Sequence, residues 1–328
     1  MKHLIAGIDI GGTNVVVGTV PEDGRSVHGV ISERTYIGDD RAGTIHQLTR
    51  MLSQSIDATA DDLGAGNFEV VGVGVGAPGP LDRQTGTVLV TPNLGWVNMP
   101  LRDIVAEASG LPTSIENDAN CAIYGEWWRG AAQGGRVVVG LTIGTGVGGG
   151  IILDGHIYHG ASDAAGEIGH ASIDTNGRRC KCGNYGCLEA YASGPAIASR
   201  AVEGIEAGAQ STLIADVDGD ISAITAKTVS QAALSGDQFC ADVIRETAHF
   251  LGSAVANLVN IFNPDIVVIC GGVTLTGAYL FEPLQHQVVR RAFDSSVAAC
   301  KIVPGGLPGT AGVFGAAAAF KTQRDSTD

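Results

Sequence analysis

The sequence predicts an α/β protein with one large domain or two moderate ones. The chain has 328 residues, of which 45% are hydrophobic, so it can bury an extensive core. Strand-like runs rich in Val and Ile alternate with longer stretches of helical periodicity. Three glycine-containing segments carry the clearest signals, at 4–20, 70–82 and 137–155.

The first and third of these segments share one design. LIAGIDIGGTNVVVGTV (4–20) and VVVGLTIGTGVGGGIILDG (137–155) each run from an apolar strand through a Gly/Thr turn into a second strand. Neither is a P-loop, because the GxxxxGK[ST] order is absent and a strand follows the turn. A single such turn fits an ordinary hairpin. Two of them favour turns whose backbone N–H groups and Thr hydroxyls face an anion.

The segment between them predicts a strand with one bare face. In VVGVGVGAPGPLD (70–82), valines alternate with glycines, so the valines share one face and the glycines share the other. Something must pack or bind against the glycine face. An amphipathic helix around 100–109 and a short strand ending at Glu116 follow.

Asp118 is the candidate base. It stands with Asn117 where that strand meets the helical pattern ANCAIYGEWWRGA, the edge at which open α/β sheets bind ligands. A carboxylate there could take a proton from a substrate hydroxyl. The alternative is an N-cap, a position at which Asp is also preferred.

The third candidate site is a metal cluster. His170, Cys180, Cys182 and Cys187 form H-x9-C-x-C-x4-C within a polar loop, a nitrogen and sulfur set that suits tetrahedral Zn²⁺. Four protein ligands predict a closed, structural site. The alternative is that the cysteines are buried as small hydrophobic residues.

Two glutamates flank the metal motif. Glu167 precedes His170 by three residues and Glu189 follows Cys187 by two, so a metal would fix both carboxylates relative to each other. We expect them to bind neighbouring sugar hydroxyls. The alternative for Glu189 is a cap or solvated position on the helix that follows.

Charge and composition exclude several classes. The net charge of −14 argues against a nucleic-acid surface. No apolar run of about 18 residues predicts a membrane span, and no secretory signal is recognisable. Seven cysteines, three of them clustered, indicate a reducing compartment, so we expect a cytoplasmic protein.

The motifs together resemble the ROK family of sugar kinases, and within it the bacterial glucokinases. The resemblance spans nearly the whole chain in colinear order. The segments that carry it are IDIGGTN (8–14), GVGAPGPLD (74–82), PNLGW (92–96), ENDAN (116–120), TIGTGVGGGII (142–152), AAGEIGH (164–170), CKCGNYGCLEAYASG (180–194), FNPDIVVICGGV (262–273) and AGVFGAA (311–317).

The resemblance implies a two-domain, actin-like ATPase (ribonuclease H-like) α/β fold with a cleft between the domains. The small domain would be 1–117 with the C-terminal helix 316–328, and the large domain would be 118–315 and carry the zinc motif. The family commonly forms dimers or tetramers, so a homo-oligomer is expected, although nothing in the composition identifies an interface.

The resemblance also assigns roles to residues. ATP and Mg²⁺ would be bound by Asp9, Gly11, Gly12, Thr13, Gly144, Thr145, Gly146, Gly271 and Gly272. The hexose, glucose in the first instance, would be bound by Asn93, Asn117, Asp118, Glu167, His170 and Glu189. His170 would give one ring nitrogen to a structural Zn²⁺ and the other to the sugar.

The implied reaction is transfer of the γ-phosphoryl group of ATP to the 6-hydroxyl of the sugar, with Asp118 as general base. Kinases for N-acetylglucosamine, N-acetylmannosamine, mannose or fructose share every motif, and polyphosphate could replace ATP. From other classes, a sugar-responsive repressor would need a helix-turn-helix segment for which the first strand, starting near Leu4, leaves no room. A catalytically inactive sugar sensor would not need Asp118.

Overall fold

The computed structural model describes residues 1–37, 41–91 and 93–326. Pro92 of the PNLGW segment and the last two residues of the predicted C-terminal helix lie outside the described residues. The strands, in chain order, are β1 (Lys2–Ile10), β2 (Asn14–Pro21), β3 (His28–Arg34), β4 (Phe68–Ala77), β5 (Leu81–Asp82), β6 (Thr87–Thr91), β7 (Trp96–Met99), β8 (Thr113–Asn117), β9 (Val137–Ile143), β10 (Val147–Leu153), β11 (His156–Ile157), β12 (Ile266–Cys270) and β13 (Lys301–Pro304).

Helices cover much of the remaining chain, together with 3₁₀ turns at Ile168–His170, Ile221–Ala223 and Gly272–Thr276. The helices are α1 (Arg41–Leu63), α2 (Leu101–Ser109), α3 (Asp118–Arg129), α4 (Glu189–Ala192), α5 (Gly194–Glu206), α6 (Leu213–Asp216), α7 (Ala226–Leu234), α8 (Gln238–Phe262), α9 (Ala278–Arg291), α10 (Asp294–Ala299) and α11 (Ala311–Asp325).

Two compact units make up the chain. The first comprises Met1–Gly135, Gly150–Gly166 and Gly305–Asp328, and the second comprises Arg136–Gly149 and Glu167–Pro304. Within the first unit, α11 packs on α3 and on the face of β1 and β4. The division predicted from the sequence, at residue 117, remains a prediction about domains.

The first unit is built on a five-stranded sheet with the order β3-β2-β1-β4-β8. The β1–β2 pair is an antiparallel hairpin, as predicted, whereas β4 pairs in parallel with both β1 and β8. The carboxyl ends of β1, β4 and β8 therefore meet at one edge of the sheet. Asp9 and Asn117 lie at that edge. A separate small sheet has the order β5-β6-β7.

The glycine face of β4 confirms the prediction that bare backbone is packed there. A methyl group at Gly72 would lie 1.9 Å from the Phe320 ring, and one at Gly74 would lie 1.9 Å from the Ala316 carbonyl oxygen. Both partners belong to α11. Side chains on this face would push the helix off the sheet, so the alternating glycines permit the close approach.

The second sheet has the order β11-β10-β9-β12-β13. β12 is parallel to β9 and to β13, and the boundary between the units, after Gly149, falls within β10. A core of apolar side chains packs against one face of β9 and β12, with α8 contributing a buried face that includes Leu251, Val255 and Val259. Among the described residues, no helix is both long and apolar enough to cross a bilayer.

Candidate functional site

Asp118 occupies the first turn of α3, directly after β8. The N-cap of this helix is Asn117, whose Oδ1 accepts hydrogen bonds from the backbone N–H groups of Ala119 (2.9 Å) and Asn120 (3.1 Å). The alternative interpretation of Asp118 as the N-cap is therefore wrong. The Asp118 Oδ1 also accepts a hydrogen bond from Ala119 N at 2.9 Å, which fixes the orientation of the carboxylate.

Asp9, near the end of β1, is the second acidic group of this edge. Its carboxyl is packed against α11, because a methyl group at Gly312 would lie 2.1 Å from Asp9 Oδ2. Burial, and to a smaller extent the charge of Asp118, raise the pKa of Asp9 from 3.8 to about 7. A group of this kind favours a cation beside it, since a cation would stabilise the ionised form.

The first Gly/Thr turn joins β1 to β2. Gly11 N donates to the Asn14 carbonyl at 2.9 Å, and the Thr35 hydroxyl donates to the Gly11 carbonyl at 2.7 Å. Asn93 is exposed, and its Nδ2 lies 4.0 Å from where a methyl group on Gly12 would stand. The structure thus brings Asn93 to the turn predicted to contact phosphate.

The second Gly/Thr turn joins β9 to β10. Gly144 N donates to the Gly146 carbonyl at 2.9 Å, which closes the predicted hairpin. The Glu189 Oε2 accepts a hydrogen bond from Val147 N at 3.0 Å, and a methyl group on Gly146 would lie 2.5 Å from the same oxygen. Glu189 therefore begins α4 and also holds this turn, a contact that the sequence did not indicate.

The glycine pair expected on the adenosine side follows β12. Gly271 has a φ of 112°, and a methyl group there would lie 2.0 Å from the Ile143 carbonyl oxygen. Gly272 opens the 3₁₀ turn and has nothing within 4 Å of its own methyl position. Both residues lie in the second unit, as does the Gly144–Gly146 turn.

The predicted metal ligands do come together. One ligand atom each from His170, Cys180, Cys182 and Cys187 lies within 4.8 Å of all the others. The His170 Nδ1 is 3.8 Å from the Cys180 sulfur, and the Cys182 and Cys187 sulfurs are 3.7 Å apart. Zn–S bonds of about 2.3 Å in a tetrahedron place sulfurs about 3.8 Å from one another. The spacing of the cluster therefore fits zinc.

A short antiparallel ladder holds the loop that carries these ligands, through isolated bridges between Ser172 and Cys187 and between Arg179 and Tyr185. Gly186 has a φ of 71°, and a methyl group there would lie 1.6 Å from the Asp174 carbonyl oxygen. No other residue fits this turn without moving the backbone. The sequence motif therefore encodes the fold of the loop as well as its ligands.

Each of the two flanking glutamates lies beside one member of the cluster. Glu167 Oε2 is 4.0 Å from His170 Nε2, and Glu189 Oε1 is 3.7 Å from the Cys180 sulfur. His170 thus turns Nδ1 towards the sulfurs and Nε2 towards a carboxylate. The sharing of His170 between a metal and a sugar remains a prediction.

The predicted residues divide between the two units. Asp9, the Gly11–Thr13 turn, Asn93, Asn117 and Asp118 belong to the first unit. Glu167, His170, the three cysteines, Glu189, the Gly144–Gly146 turn and the Gly271–Gly272 pair belong to the second.

Sequence reasoning missed one polar cluster in the first unit. Glu116 is buried beside Asn117, and its carboxylate meets His159 and Arg83. Glu116 is the first residue of the ENDAN segment, which was a usable signal. Nothing in the local pattern pointed to His159 or Arg83.

Comparison with known proteins agrees with these motifs. The model of the ROK family matches residues 5–323. The chain is 36% identical to a glucokinase of Thermotoga maritima over 98% of both chains. It is also 37% identical, over 85% of its length, to a xylose repressor of Caldicellulosiruptor bescii, of which the match covers 68%.

Among solved structures, a ROK family glucokinase from Streptomyces griseus in complex with glucose and AMPPNP matches with a TM-score of 0.83 and 34% identity. The match covers 96% of this chain and 98% of that one. The predicted two-domain type of fold is confirmed by this likeness, which is to the actin-like ATPase fold of ROK sugar kinases. The chain belongs to the ROK family.

Proposed function

We propose that the protein is an ATP-dependent sugar kinase that transfers the γ-phosphoryl group of ATP to the 6-hydroxyl of glucose. The observation that carries the proposal is the placement of Asp118. Its carboxylate stands at the sheet edge shared with Asp9, is oriented by Ala119 N, and is not used as the helix cap. The glucokinase relatives, and the neighbour bound to glucose and AMPPNP, support glucose and ATP as the substrates.

Asp118 acts in this proposal as the general base. Phosphoryl transfer has a loose transition state, so alignment of the nucleophile and stabilisation of charge supply most of the rate. Asp118 would hold the 6-hydroxyl and take its proton as the oxygen attacks phosphorus. The backbone N–H groups of the Gly/Thr turns would donate to phosphate oxygens.

Asp9 would lie near Mg²⁺. Magnesium prefers one or two carboxylates together with water and phosphate oxygens, and a carboxyl whose pKa is raised to about 7 suits such a position. When bound, the ion neutralises charge on the phosphates. The protein's own contribution is to hold Asp9 against α11 so that its carboxyl faces a fixed place.

Zinc would have a structural role. The four residues His170, Cys180, Cys182 and Cys187 would hold the ion and, as four protein ligands, would leave no position for a reacting water. Glu167 lies beside His170 and Glu189 beside Cys180, so a bound metal would hold both carboxylates near the cluster. We propose that six residues bind sugar hydroxyls: Glu167, Glu189, His170, Asn93, Asn117 and Asp118.

The sugar itself is the finer part of the proposal. Glucose should give a higher kcat/KM than N-acetylglucosamine, N-acetylmannosamine, mannose or fructose. An inverted order would assign a different sugar to the same mechanism. The similarity to xylose repressors makes a binding protein without turnover the competing function.

One experiment separates these functions. ATP-coupled turnover is measured on the five sugars with the wild-type protein and with Asp118→Asn, which keeps the shape of the side chain. We expect turnover by the wild type and a fall in kcat of about 10² to 10⁴ in the variant, with sugar affinity retained within severalfold. Sugar binding without turnover by the wild type would support the repressor-like alternative. Full activity of the variant would refute Asp118 as the base.

A further inference from the structure

Glu116 is the best-connected buried carboxylate near the proposed base. Its side chain is 3% exposed. Oε2 accepts a hydrogen bond from His159 Nε2 at 2.8 Å and forms an ion pair with Arg83 Nε at 3.1 Å. Oε1 accepts from the backbone N–H of Asn117 at 2.9 Å and from Asn120 Nδ2 at 3.0 Å.

The two oxygens hold different parts of the first unit. Through Oε1, Glu116 holds the N-cap residue Asn117 and the first turn of α3. Through Oε2 it holds the loop after β11, which carries His159, and the residue after β5, Arg83. Arg83 also lies 3.8 Å from Asp163 in the same loop. One carboxylate therefore ties the strand–helix junction to two loops.

The electrostatics favour an ionised Glu116. Burial alone would raise its pKa, but the hydrogen bond from His159 and the charges of His159 and Arg83 hold the pKa below its usual value of 4.5. The charged and titratable groups around it are Arg83, His159, Cys121 and Tyr124, with Asp163 behind Arg83. A buried charge with all of these bonds resists displacement, because moving it would leave its buried partners without hydrogen bonds.

We propose that Glu116 is a positioning residue for phosphoryl transfer, because its carboxylate fixes the backbone at Asn117 and so aims the Asp118 carboxylate. The inference rests on the proposed function of Asp118. Glu116 does no chemistry itself. Its role is to keep the Asp118 oxygen at the place where the substrate hydroxyl presents its proton, and a shift of about 1 Å there can cost up to about 100-fold in rate.

A double-mutant cycle tests this role. Glu116→Gln should lower kcat by about 10- to 100-fold in the wild-type background, with the KM for ATP nearly unchanged. In the Asp118→Asn background the same change should lower kcat by less than about threefold, because there is no base left to aim.

Glu126→Gln is the matched control. Glu126 lies on α3, the helix whose first turn Glu116 holds. It is as buried as Glu116 and accepts hydrogen bonds from the backbone N–H groups of Ala131, Gly306 and Leu307 at the opposite end of α3. The Glu126→Gln variant should lower Tm at least as much as Glu116→Gln does and keep kcat within about twofold of the wild-type value. Equal losses of kcat in both variants would overturn the inference, since general loosening would then explain them.

The outcomes separate the inference from the function on which it rests. If Glu116→Gln lowers kcat by the same factor in the wild-type and Asp118→Asn backgrounds, Glu116 does not act through the base. The inference then fails, while Asp118 keeps its role. If Asp118→Asn alone leaves kcat unchanged, the proposed base fails, and the inference with it. Should Glu116→Gln not fold, His159→Ala replaces it in the cycle, with the same pattern of non-additivity expected and the same additive result refuting the proposal.

Discussion

Replacing Asp9 with Asn should stabilise the protein at alkaline pH in buffer without added Mg²⁺, while lowering its turnover. Among the described residues, the Asp9 carboxyl makes no hydrogen bond and no ion pair, and it lies against Gly312. Burial and the Asp118 charge raise its pKa from 3.8 to about 7. Asp9 is thus held in a place that costs stability once it ionises.

The sign and size of the effect follow from the pKa. Between pH 4 and pH 7 the folded state binds a proton that the unfolded state has released, so the free energy of unfolding falls as the pH rises through this window. The pKa is raised by about three pH units, each equivalent to about 1.4 kcal/mol, so the cost above pH 7 is about 4 kcal/mol. Asn carries no charge and avoids this cost.

Urea unfolding from pH 4 to pH 9 measures the difference. The free energy of unfolding of Asp9→Asn relative to the wild type should rise by about 4 kcal/mol between pH 4 and pH 8, then level off. Asp118→Asn should reduce the pH dependence of the wild type only in part, because burial is the larger cause of the shift. A difference that does not vary with pH would show that Asp9 titrates normally and would refute the reasoning.

Two further predictions concern the second unit. Cys182→Ala should lose about one zinc per chain, and its thermal stability and sugar affinity should fall together. Its nucleotide affinity should also fall, because Glu189 accepts a hydrogen bond from the backbone N–H of Val147 beside the second Gly/Thr turn. Metal analysis and titration calorimetry check this, with Cys240→Ala as a control that should keep its zinc; a zinc-free variant with unchanged affinities would contradict it. The stability of Asp237→Asn relative to the wild type should change with pH in the opposite direction to that of Asp9→Asn. Burial would raise the pKa of Asp237, but hydrogen bonds from Cys240, Ser211 and Thr212 lower it to about 2, so the carboxylate contributes about 2 kcal/mol above pH 4 that is lost towards pH 2. In urea unfolding, the variant should lose more of the free energy of unfolding at pH 7 than at pH 2.5. Equal losses at the two pH values would argue against the lowered pKa of Asp237.

The sequence alone determined the features that depend on near neighbours in the chain. The hairpin turns at Gly11–Thr13 and Gly144–Gly146 and the glycine face of β4 follow from strand periodicity and from the absence of side chains. The metal ligands follow from spacing, because three cysteines within eight residues must lie close together. The order of these motifs was specific enough to predict the family.

Only the tertiary structure decided the contacts between distant segments. Glu116 and His159 are 43 residues apart, and Glu189 and Val147 are 42 apart. No periodicity links such pairs, because the packing of whole elements brings them together. The raised pKa of Asp9 likewise depends on α11, more than 300 residues further along the chain, because Gly312 of that helix packs against the carboxyl. Local patterns therefore named most of the candidate groups, whereas packing set which of them touch and which protons they hold.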